Sequence, residues 1–96
     1  MIEAELVRVL LVEDDEDDFL ITRDLFSEMA GRRFRLDWAR TATEGLETMA
    51  LNRHDLCLVD YQLGAQNGIE LLRAALEAGC QAPIILLYSG QSPALT

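Results

Sequence analysis

Two short apolar runs in this chain end in acids. Leu56-Cys57-Leu58-Val59 runs into Asp60, and Val7 to Val12, apolar except for Arg8, runs into Glu13-Asp14-Asp15. A short apolar run that stops at turn residues and leads into a helical pattern reads as a buried strand of a parallel sheet. In open α/β sheets, ligands bind at the carboxyl ends of such strands. If the two strands are neighbours, Glu13, Asp14 and Asp60 share one crevice. Two unit charges ~4 Å apart repel by ~4 kcal/mol at an effective dielectric of ~20. Three carboxylates therefore stay ionised together only if a cation joins them. Hard oxygen ligands with open positions suit Mg2+, and such a site can serve metal-assisted phosphoryl transfer.

Two other readings compete. The acids could simply cap loops and helices, which is common for one acid and weaker for two strands that both end in acids. A flavodoxin-like cofactor site would need N–H donors from a Gly- or Ser/Thr-rich loop after the first strand, and the acidic run would repel a flavin phosphate.

These acids need a scaffold. Ninety-six residues make one small domain, and a hydrophobic content of 50% is enough for a core. The net charge is −9, from 17 acids against 8 bases, and every base is Arg. Such a chain will not hold a nucleic-acid backbone through this domain. No apolar run approaches the ~20 residues of a membrane span, and the start Met-Ile-Glu-Ala-Glu does not read as a signal peptide. A cytoplasmic location without membrane contact is the expectation. Cys57 and Cys80 lack metal-ligand spacing and are expected to be free thiols.

Taken in order, the first strand spans Leu6 to Val12. A helix from Glu16 to Ala30 follows, with Ile21, Leu25 and Met29 as its apolar stripe, Phe19 and Phe26 on an adjoining one, and Gly31 after its end. Phe34 to Trp38 alternates strictly and reads as a half-exposed edge strand. Thr41 and Glu44 form a capping box for a second helix that buries Ala42, Leu46, Met49 and Ala50. Asn52-Arg53-His54 ends it, and His54 reads as a surface or cap residue rather than a catalyst. After Asp60, Tyr61 to Gln66 forms a loop. Asn67 caps a third helix with Ile69, Leu72, Leu76 and Gly79 on its stripe. Pro83 opens a fourth strand, Ile84 to Tyr88, and the remaining residues have loop composition. This β-α-β-α-β-α-β order argues for a doubly wound parallel sheet covered on both faces.

Val9-Leu-Leu-Val-Glu13-Asp14-Asp15, Leu58-Val-Asp60-Tyr-Gln-Leu-Gly-Ala-Gln-Asn-Gly68 and Ala82-Pro-Ile-Ile-Leu-Leu together resemble the receiver domain of bacterial two-component response regulators. The resemblance covers nearly the whole chain and implies a flavodoxin-like fold of strand order 2-1-3-4, with a fifth strand absent from this chain. It implies that Asp60 accepts phosphate from a histidine kinase or phosphotransfer protein. It also implies that Asp14 binds Mg2+ directly, that Glu13 acts through metal-bound water, and that the backbone carbonyl of Gln62 is a further ligand. Gly68 matches the turn glycine before the third helix. The role is that of a phosphoacceptor domain rather than an enzyme, with an output domain as a further partner.

Two departures stand out. Receivers carry Ser or Thr just after the fourth strand. Ungapped counting places Tyr88 there, and Ser89 reaches the role only if the strand end shifts by one residue. The phosphoryl-binding Lys after the fifth strand has no counterpart, because the chain has no Lys. Residues 1–96 are therefore expected to be a receiver domain incomplete at its C-terminus. The alternative is a degenerate receiver that only docks to proteins. A haloacid-dehalogenase-like phosphatase would need an acid at position 62, which is Gln. The uncharged fourth strand would be an open edge, so a homodimer or segment exchange through it is expected.

Overall fold

The computed structural model describes residues 6–29 and 33–88. In chain order the elements are β1 (Leu6–Val12), α1 (Glu16–Ser27), β2 (Arg33–Ala39), α2 (Ala42–Ala50), β3 (Leu56–Asp60), β4 (Gln62–Leu63), β5 (Gln66–Asn67), α3 (Gly68–Glu77) and β6 (Ile84–Leu87). The main sheet runs β2-β1-β3-β6, and each neighbouring pair is parallel. This is the flavodoxin-like receiver order expected from the sequence. The segment read as a loop after Asp60 instead contains the antiparallel pair β4–β5, turned at Gly64, whose φ of 61° suits a residue without a Cβ.

The centre of the sheet is buried on both faces. Val9, Leu10, Leu11 and Val12 are all fully buried. Leu10, Val12, Cys57 and Val59 face one way and pack with Met49 of α2 and Leu71 and Ala75 of α3. Val9, Leu11 and Leu58 face the other way, against Phe19 and Phe26 of α1 and Phe34 of β2. Burying each such aliphatic side chain is worth ~1.5–3 kcal/mol. Both cysteines are free and buried. Burial, then the neighbouring Cys80 thiol, pushes the Cys57 thiol up to about 12, so it stays inert.

Helix starts follow the sequence closely. The Thr41 side chain accepts from the Glu44 N–H at 3.1 Å, and Glu44 Oε2 accepts from the Arg40 N–H at 2.8 Å. Asn67 Oδ1 accepts from the Glu70 N–H at 2.9 Å. Helix ends and faces needed correction. α1 stops at Ser27, and Gly31 lies outside the described residues. Its Ile21-Leu25-Met29 stripe is exposed, because Phe19 stacks on Trp38 and Phe26 packs edge-on against Phe34. In α3 the buried face is Gly68, Leu71 and Ala75, while Leu76 is 58% exposed. In α2 Gly45 and Met49 are buried and Ala50 is exposed. A Cβ on Gly45 would lie 2.9 Å from both methyls of Val12, so α2 sits against β1 only because that position lacks a side chain.

Among the described residues, no helix is long and apolar enough to cross a membrane. β6 is the outer strand of the described sheet, and Ile85 on it is 47% exposed.

Candidate functional site

The parallel register sets Val12 beside Val59, so the residues that follow each strand core meet at one end of the sheet. Glu13 and Asp60 are each only 3% exposed, and Asp14 is exposed beside them. One carboxylate oxygen from each of the three lies within 4.8 Å of the others. Asp15, Asp18, Gln62 and Gly64 complete an open crevice of about 230 Å³. The three acids expected to converge do converge.

Each carboxylate is held by backbone that the local sequence places there. The Gly64 N–H, presented by the β4–β5 turn, donates to Asp14 Oδ2 at 3.0 Å. The Gln62 N–H approaches Asp60 Oδ1 at 3.4 Å. The Asp15 N–H approaches Glu13 Oε2 at 3.4 Å, while the Asp15 side chain caps α1 by accepting from the Asp17 N–H at 2.8 Å. Gly64 was not singled out from the sequence. The signal for it was present in Leu63-Gly64-Ala65, a turn glycine four residues past Asp60.

Burial pushes the Glu13 carboxyl up to about 8, and its hydrogen bond to Asp60 and the Asp60 charge push the same way. Raised this far, the Glu13 carboxyl favours its protonated form near neutral pH when no cation lies beside it. Asp18 is also raised, by burial first and then by the charges of Asp15 and Asp60. The lining of the crevice contains five acids and no base. Three converging oxygen donors in an acidic lining fit a hard divalent cation.

Trp38 reaches the site from the end of β2. Its Nε1–H donates to the Glu13 carbonyl at 2.7 Å, its ring stacks on Phe19 at 4.1 Å, and the Arg40 guanidinium lies 4.5 Å from its centroid. The alternation that groups Phe34, Leu36 and Trp38 on one face of β2 could not reveal a bond to the backbone that follows β1. Gly68 also differs from its expected role. It begins α3 without a positive φ, and its N–H donates to the Tyr61 carbonyl at 2.6 Å. A Cβ there would come within 2.6 Å of the Asp60 carbonyl. Gly68 is therefore required by close approach to the Asp60 backbone rather than by a turn.

Tyr88 follows β6, is 62% exposed, and stacks its ring on Tyr61 at 4.8 Å. Ser89 lies outside the described residues. His54, expected at the surface, has a side chain only 6% exposed and bonded through Nε2 to Asp37 at 2.7 Å. It lies away from the acidic crevice and is no part of this site.

Residues 9–94 match the family described as the response regulator receiver domain. The chain is 32% identical over 81 residues to the transcriptional regulatory protein DltR of Streptococcus agalactiae, covering 84% of this chain and 35% of that protein. It is 33% identical over 84 residues to the uncharacterized transcriptional regulatory protein YkoG of Bacillus subtilis, covering 88% and 36%. The chain thus spans about a third of the length of these curated relatives. Among solved structures, the MaeR response regulator bound to beryllium trifluoride aligns with a TM-score of 0.75 at 22% identity, over 90% of this chain and 70% of that one. The response regulator domain of Thermotoga maritima CheB aligns at 0.74 and 21%, over 88% and 62%. At these identities the structural matches establish the fold.

Proposed function

The chain belongs to the response regulator receiver domain family, and from that premise we propose that Asp60 accepts a phosphoryl group from a histidine kinase or a phosphotransfer protein. The observation that carries this is the placement of Asp60, 3% exposed at a strand end, with Glu13 and Asp14 oxygens within 4.8 Å. Glu13, Asp14, Asp60 and the backbone carbonyl of Gln62 would hold Mg2+. When bound, Mg2+ supplies positive charge that offsets the phosphoryl oxygens in a crevice lined by five acids.

The residues of the chain do the rest by position. An Asp60 carboxylate oxygen attacks phosphorus in line with the phosphohistidine N–P bond. The O–P bond forms as the N–P bond breaks, and the electron pair returns to the imidazole, which leaves neutral because its other ring nitrogen carries a proton. The Gly64 N–H holds Asp14 in place, and the Trp38 indole fixes the backbone of Glu13. The domain is an acceptor rather than a turnover enzyme, works in the cytoplasm, and passes its state to an output domain.

A second reading is a degenerate receiver that only docks. It is favoured by Tyr88, an aromatic ring turned onto Tyr61 at the ungapped hydroxyl position. Incubation with a small acyl-phosphate donor and Mg2+, read by intact mass and peptide mapping, separates the two. An adduct on Asp60 that is lost in Asp60→Asn is expected. No adduct, or one of equal yield in Asp60→Asn, supports the docking reading.

Self-association through β6 belongs to the same proposal. Among the described residues β6 is the outer strand and no charged side chain lies between Ala78 and Tyr88, so two copies of this acidic chain would meet there without like-charge contact. Sedimentation should show a concentration-dependent dimer that Ile85→Lys abolishes. A monomer at every concentration would remove it.

A further inference from the structure

A second cavity lies at the opposite end of the sheet from the acidic crevice, on the α2 face. Arg8 pairs in register with Arg35, and Leu10 with Asp37. The two-residue period of a strand puts Arg8, Arg35 and Asp37 on the same face. Arg53 and His54 arrive from the turn after α2. Together they line a cavity of about 390 Å³. Three of the eight arginines of an acidic chain thus converge on one hollow.

Asp37 is the one acid in this lining, and it is already engaged. His54 Nε2 lies 2.7 Å from its Oδ2, and Arg35 Nε 3.4 Å from its Oδ1. Burial opposes its ionisation, but the His54 hydrogen bond and the Arg35 charge outweigh that and hold its carboxyl below the usual range. Among the described residues, Arg8 and Arg53 have no acid within ion-pair distance. His54 Nδ1 is buried and without a hydrogen-bond partner. An unsatisfied buried polar atom typically costs ~1–3 kcal/mol, which native structures seldom leave unexplained.

The bland alternative is that Arg53 and His54 merely serve the carboxyl end of α2, whose last turn contains no base. That accounts for two residues. It leaves Arg8, on a strand, and the vacant Nδ1 without a role.

We propose that this cavity binds a small phosphate-class oxyanion. Arg8 and Arg53 would grip its oxygens through their planar forks, which match phosphate and carboxylate geometry. The cavity exceeds a bare phosphate and lies in the ~300–1,000 Å³ range of small-molecule sites, so a phosphate monoester suits it. This site is independent of the phosphoacceptor reading, because it shares no residue with the acidic crevice.

The test is an NMR titration of the full chain with inorganic phosphate, in EDTA and at constant ionic strength set with chloride. Saturable shifts of the Arg8 and Arg53 Nε–H signals and of the His54 ring are expected. Sulfate should compete and acetate should compete more weakly, which separates a phosphate-class site from a carboxylate site. Arg8→Gln with Arg53→Gln should weaken binding about tenfold or more, equivalent to about 1.4 kcal/mol. Both side chains are exposed, so the fold should survive, and an unchanged amide spectrum elsewhere would verify this. Acetate binding more tightly than phosphate, shifts that never saturate, or equal affinity in the double variant would overturn the proposal.

Discussion

Without metal, Glu13→Gln should be more stable than the natural chain at about pH 8, and the advantage should shrink as pH falls towards about 4.5. Burial and the adjoining Asp60 raise the Glu13 carboxyl from its ordinary 4.5 to about 8 in the folded protein. Between these values the folded state keeps the proton and the unfolded state has released it. Folding stability from this group is therefore fully present below about 4.5 and is lost as pH rises through about 8. Gln keeps a donor toward Asp60 and does not titrate, so its stability should vary less over this window. Urea denaturation in EDTA across the range measures the difference. Mg2+ should reverse the order at high pH, because a cation replaces the proton between the two carboxylates. At a hundredfold excess over its dissociation constant, a ligand adds ~2.7 kcal/mol. Trp38, bonded to the Glu13 carbonyl, gives the fluorescence readout. Parallel pH curves for the two proteins would show that Glu13 does not hold the proton.

Leu10→Ala should bring the domain close to unfolding. Leu10 is 1% exposed on the central strand and packs with Val12, Met49, Cys57 and Val59. Leu→Ala at such a site costs ~2–5 kcal/mol, through lost transfer energy and the cavity left behind. A domain of this length has ~5–14 kcal/mol in all, at ~0.05–0.15 kcal/mol per residue. Leu76→Ala should change stability by less than ~0.5 kcal/mol, because that side chain is 58% exposed. Urea midpoints decide between them. A loss at Leu76 equal to that at Leu10 would mean that the helical stripe read from the sequence, not the observed Leu71–Ala75 face, is the buried one.

The sequence by itself determined the elements whose cause is local. Uninterrupted Val/Leu runs require strands buried on both faces, and Val9 to Val12 are so buried. Thr41 and Asn67 announce helix starts because a capping side chain needs only the N–H three residues on. Acids directly after two strand cores imply a shared crevice once the sheet is parallel, since parallel strands bring like ends together.

Only the tertiary structure decided questions that depend on what lies opposite. α1 has two apolar stripes, and the aromatic partners on β2, distant in sequence, selected Phe19 and Phe26 over Ile21, Leu25 and Met29. α3 turned Gly68, Leu71 and Ala75 inward because Gly68 must meet the Asp60 carbonyl, and that leaves Leu76 outside. His54 looked like a surface residue until Asp37 came against it from β2. The upward push on the Glu13 carboxyl follows from burial beside Asp60, 47 positions away. Period and capping act within a few residues of chain, whereas desolvation and packing act between segments that meet only when the sheet closes.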